Sequence, residues 1–166
     1  MRPSRIIFHP LFVLACAALG VLAYVVFMRW SHPGGDLANN FVYVIPIIVP
    51  FVSFVFDRAS HVKDAPLIEL IVDGAVVITS IMRMIGDVPF VSGHALFLTY
   101  AIARPGSRLT QITAALVMIQ VIVLKYVVWH DVVTPTTGIV LGLLAAFIVR
   151  RQQARKAATL TPLTNH

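Results

Sequence analysis

Two stretches carry residues able to do chemistry together. Ser92-Gly93-His94 opens an apolar stretch, and His130-Asp131 marks the seam between two others about forty residues later. Small polar groups rarely open a hydrophobic segment without a reason, because an unsatisfied polar atom in hydrocarbon costs several kcal/mol. Two histidines, a serine and nearby cations suit phosphoryl transfer. A neutral imidazole can attack phosphorus, giving a phosphohistidine that water later hydrolyses. A second imidazole can protonate the departing alkoxide and then activate that water. Lys and Arg hold the non-bridging oxygens, and backbone amides at a helix start add donors, approached closely where glycine stands. Each histidine alone could equally be a satisfied interfacial residue. A metal site from His94, His130 and Asp131 lacks paired-histidine spacing, so no metal or cofactor is expected.

The segments that must position these residues are membrane-like. The chain has 166 residues, 58% hydrophobic and 12% charged, which excludes an ordinary soluble domain. The formal charge of +6 sits mostly at segment ends, which fits membrane orientation and not nucleic-acid binding. Its single cysteine, Cys16, rules out an internal disulfide framework and reads as an ordinary helix residue. Apolar runs predict an all-α polytopic membrane protein, a bundle of six transmembrane helices in one domain covering 1–166. The expected spans are 11–28, 41–56, 66–83, 90–103, 109–129 and 132–149, with a polar, mobile cytoplasmic tail over 150–166. Residues 31–40 and 57–64 read as loops, Pro46 and Pro50 predict a kink, and Thr134 to Gly138 predict an early break in the last span. Glu69, Asp73, Ser80 and Arg83 lie four, seven and three residues apart, one stripe of a helix that should face the bundle interior.

Lys and Arg counts fix an expected orientation. Arg2, Arg5, Arg58, Lys63, Arg104, Arg108, Arg150, Arg151, Arg155 and Lys156 collect on one side, against Arg29 and Arg83 on the other. Both termini are therefore expected to be cytoplasmic, in a bacterial inner (plasma) membrane. Arg83, His94 and His130 then share the external side. Trp30, Tyr43, Tyr126 and Trp129 read as an interfacial aromatic belt, and Arg104 and Arg108 as topology anchors able to touch anionic headgroups.

Val91-Ser92-Gly93-His94 resembles the second motif, Pro-Ser-Gly-His, of the type-2 phosphatidic acid phosphatases, membrane lipid phosphatases related to vanadium haloperoxidases. His130 and Gly138 keep the histidine-to-glycine spacing of that family's third motif, and six spans with an external site are the family's layout. The resemblance covers Arg83 to Leu144 and implies a hydrolase acting on a lipid or polyprenyl phosphate monoester or pyrophosphate. On it, His130 would be the nucleophile and His94 the general acid, with Ser92, Gly93, Arg83 and Lys125 binding phosphate. The family's orienting aspartate falls at Thr134, with Asp131 the nearest carboxylate. Its motif-three arginine falls at Leu124, one residue from Lys125, and motif one has no match beyond Arg83, followed by Met84 instead of proline. The alternative is a family member that keeps the fold without the reaction, as a lipid-binding or structural membrane protein. The implied partners are the phosphorylated lipid and membrane lipids, with no nucleic acid. Nothing in the sequence sets an oligomeric state.

Overall fold

The computed structural model describes residues 36–62, 65–85 and 90–160. The expected first span, 11–28, and the connection 86–89 lie outside these residues, as do Lys63 and the side chain of Arg83. All regular structure among the described residues is helical: α1 (Asp36–His61), α2 (Leu67–Ile85), α3 (Gly93–Ala103), α4 (Arg108–Ile122) and α5 (Val133–Leu160). A π-helical segment, Val123–Val128, continues α4.

Two helical stretches, Arg108–Val127 and Val133–Ala158, are long and apolar enough to cross a membrane. α3 is apolar too, but its 11 residues reach only about 16 Å at 1.5 Å per residue, short of a ~30 Å hydrocarbon core. It is instead the centre of the fold. Gly93 and Ala95 through Ala101 are all buried, as expected for a helix apolar on every side. Phe97, Leu98 and Tyr100 of α3 meet Val117 and Val121 of α4, Leu124 beyond it and Val149 of α5 in the core. Phe54 of α1 packs edge-on against Phe97, with ring centroids 5.6 Å apart.

The closest approach is between α3 and α5. A Cβ added at Gly138 would lie 2.6 Å from the Ser92 carbonyl oxygen, and one at Gly142 would lie 2.7 Å from that of Leu96. Both obstacles are backbone, so only glycine lets the helices run this close. This is the small-xxx-small geometry of tightly packed helices.

Several expected boundaries shift. α1 takes in Asp36–Asn40 and Asp57–His61, both expected as loop; at its C-terminal end Asp57 and Arg58 find partners within the bundle. It runs unbroken through Pro46 and Pro50. The expected break at Thr134–Gly138 is absent: Pro135 stands in the first turn of α5, where its missing N–H leaves no bond unmade. The expected tail is helical through Leu160, while 161–166 lie outside the described residues. Arg104, expected as a surface anchor, is only 4% exposed. Arg108 at the start of α4 is exposed.

Candidate functional site

The starts of α3 and α5 lie side by side. The Ser92 amide donates to the Thr134 carbonyl at 2.9 Å, and Gly138 passes beneath the Ser92 carbonyl. Ser92 is the N-cap of α3: its extended backbone turns the chain into the helix, and its hydroxyl accepts from the Ala95 amide at 3.4 Å. The Ser92-Gly93-His94 turn and the stretch after the π-helical segment are thus brought together.

That stretch is bonded closely. The Trp129 amide donates to the Leu124 carbonyl at 3.0 Å and the Asp131 amide to the Lys125 carbonyl at 2.8 Å, closing the widened helix. His130 falls between them with φ of 53°, a left-handed conformation uncommon for any residue but glycine, and it is exposed. π-helical turns and such backbone outliers both recur at functional sites. Asp131 caps α5, accepting from the Thr134 amide at 3.2 Å and the Thr134 hydroxyl at 2.5 Å. The ammonium of Lys125 reaches the same carboxylate at 3.2 Å and lies 5.1 Å from the centre of the Trp129 ring. Partial burial pushes the Asp131 carboxyl upward. The two Thr134 hydrogen bonds and the Lys125 charge outweigh it and hold the group below its ordinary value.

His94 occupies the first turn of α3. It lines a cavity of about 200 Å³ with Ile47, Phe51, Ser80, Ile81 and Phe97, between α1, α2 and α3. His130 is not among the residues lining that cavity. Asp131 and Thr134, the two expected supports for His130, bond to each other, and Asp131 also pairs with Lys125. The structure therefore gathers Ser92, Gly93, Lys125, His130, Asp131 and Thr134 around two adjoining helix starts, with His94 on the cavity side of the first.

A second polar centre lies at the opposite end of α3. Arg58 contacts Glu69 at 2.9 Å and Asp73 at 2.5 Å, and Arg104 contacts Glu69 at 2.7 Å and Asp73 at 3.1 Å. Gln153 of α5 adds a third donor to Glu69 at 3.2 Å, the Tyr100 hydroxyl donates to Asp73, and the Arg104 guanidinium lies 5.4 Å from the centre of the Phe54 ring. Glu69, Asp73 and Ser80 are all buried, as their stripe requires. Their cationic partners escaped the sequence reading. Two buried carboxylates one helical turn apart demand counter-charges, and the arginines nearest the helix ends were Arg58 and Arg104. No family model, no curated protein and no solved structure matches this chain.

Proposed function

We propose that the protein is a helical membrane phosphatase, similar to the type-2 phosphatidic acid phosphatases. It would hydrolyse a lipid or polyprenyl phosphate at the joined starts of α3 and α5, facing outward from a bacterial inner membrane with both termini cytoplasmic. The observation that carries this reading is the 2.9 Å bond from the Ser92 amide to the Thr134 carbonyl, which ties the Ser-Gly-His turn to the His130 stretch. Large apolar side chains exposed on α2, α4 and α5, among them Ile78, Ile119, Leu144 and Phe147, support a lipid surroundings. In this reading a ring nitrogen of His130 bonds to phosphorus as the ester P–O bond breaks, and the departing alkoxide takes a proton from His94. Water then cleaves the P–N bond, losing its proton to His94 and freeing phosphate. The Ser92 hydroxyl and Gly93 amide hold non-bridging oxygens, and Lys125 turns from Asp131 to the phosphate when substrate enters.

Purified protein should release phosphate from phosphatidic acid, phosphatidylglycerophosphate or undecaprenyl pyrophosphate, and His130→Ala should lower the rate by at least about a thousandfold. Equal rates for the two proteins would end the catalytic reading. A second reading, lipid binding without turnover, is favoured by the engagement of Asp131 with Lys125 and Thr134 in place of His130. It expects substrate binding that Lys125→Ala weakens, with no phosphate release dependent on His130.

A further inference from the structure

We infer that the polar end of the bundle holds a second site, which binds a phosphate-type oxyanion, and this inference stands independently of the proposed phosphatase. A cavity of about 680 Å³ opens there, walled by Arg58 and His61 of α1, Glu69 of α2, the turn at Ser107, and Gln153 and Lys156 of α5. Not every donor there is hydrogen-bonded. Glu69 Oε1 already takes Arg58, Arg104 and Gln153, while Asp73 accepts from Tyr100 and lies in ion-pair contact with the Nε atoms of both arginines. The Asp57 carboxylate is drawn onto the 104–107 turn, where Oδ2 accepts from the Ser107 amide at 3.3 Å. Gly106 leaves room for it, since a Cβ there would lie 2.8 Å from that oxygen. After all these pairings, the buried Nη2 of Arg58 has no acceptor among the described residues. A buried donor left this way carries its full desolvation penalty, so an incoming acceptor is strongly favoured.

Charge selects what that acceptor is. Against three acidic residues, Asp57, Glu69 and Asp73, this end gathers Arg58, Arg104 and Lys156 at the cavity and four more arginines on the first turn of α4 and the last turns of α5. The excess is positive, which favours an anion over a cation. An oxyanion with several acceptor oxygens can serve the Arg58 edge and the Lys156 ammonium together, as chloride cannot. The same chemistry comes from free phosphate or from a phospholipid headgroup at the membrane surface.

Thermal unfolding of the full chain in a neutral maltoside detergent tests the site. One arm adds inorganic phosphate at fixed ionic strength. The other adds phosphatidylglycerol, a diester that the proposed phosphatase does not hydrolyse, beside diacylglycerol, which lacks phosphate. Near tenfold saturation the Tm should rise by about 3 °C. Lys156→Ala should lose most of the rise, whereas Arg151→Ala, which removes an equal charge outside the cavity lining, should keep it. A response to phosphate identifies the free ion, and a response to phosphatidylglycerol alone identifies the headgroup; both uphold the site. No rise in either arm, or rises that the two variants reduce equally, would overturn it.

Discussion

At one end of α3, Arg58 and Arg104 bind carboxylates of a neighbouring helix, side chain to side chain, beside the cavity they help to line. At the other end, Ser92 and Asp131 sit at helix starts and accept from backbone amides, with His130 exposed beside them. The first arrangement interlocks α1, α2, α3 and α5 through charges that would be costly to leave single. The second leaves side chains free to exchange partners, because the bonds that fix the fold there belong to amides and carbonyls. One end is fixed by paired side-chain charges, the other mainly by backbone bonds.

The comparison can be broken most sharply at the charge-paired end. Arg104→Leu strands Glu69 and Asp73 with a single arginine and should destabilise the protein by about 3–5 kcal/mol, read as unfolding in detergent. A loss under about 1 kcal/mol would mean water relieves the cluster. The glycine seam joining the two ends comes next. Gly142→Ala adds a methyl 2.7 Å from a backbone oxygen, and separating the helices should cost about 2 kcal/mol despite alanine's better helix propensity. A more stable variant would show that α3 and α5 slide apart freely.

At the Ser92–Asp131 end the effects are smaller. Asp131→Asn keeps a capping oxygen but removes the charge that faces the α5 start and Lys125, and should cost about 1 kcal/mol at neutral pH. Because the folded carboxyl is held below its ordinary value, its contribution is complete above the unfolded carboxylate value and fades as pH falls through the lower folded one. The difference between wild type and Asp131→Asn should therefore begin to narrow below about pH 4 and close below the folded value; a gap that widens in acid would refute the Lys125–Asp131–Thr134 arrangement. Smallest, and opposite in sign, is Gly74→Ala. Among the described residues no neighbouring atom lies within 4 Å of the added Cβ, so the helix should gain about 0.5–1 kcal/mol. Set beside Gly142→Ala, it separates intrinsic helix propensity from packing, and a loss at position 74 would place α2 closer to a neighbour than described.

The helices were legible from apolar run length, and the buried face of α2 from the helical spacing of Glu69, Asp73 and Ser80. The nearness of Ser92 to the His130 stretch, expected from their placement on one side of the bundle, appears as the Ser92–Thr134 bond. What stayed hidden were pairings between distant residues. Nothing local ties Arg104 to Glu69 or Arg58 to Asp73, so both arginines read as surface charge. The polar last turns of α5 read as tail because they lack an apolar stripe, although Gln153 reaches back to Glu69 and Arg150 donates to the Ala103 carbonyl at 2.6 Å. The π-helical turn left no mark either. Val123 to Val128 differs from an ordinary apolar helix only in the bonds it closes, such as Trp129 to Leu124.

The dependence of α3 on the two glycines of α5 also bears on biosynthesis. α3 leaves the ribosome well before Gly138 and Gly142 are translated, so the face they cover has no partner when it first appears. The Ser92 amide likewise waits for Thr134. Packing around α3 can be completed only when α5 arrives. A chain cut within α5 would be left with an open seam, a natural target for membrane proteolysis.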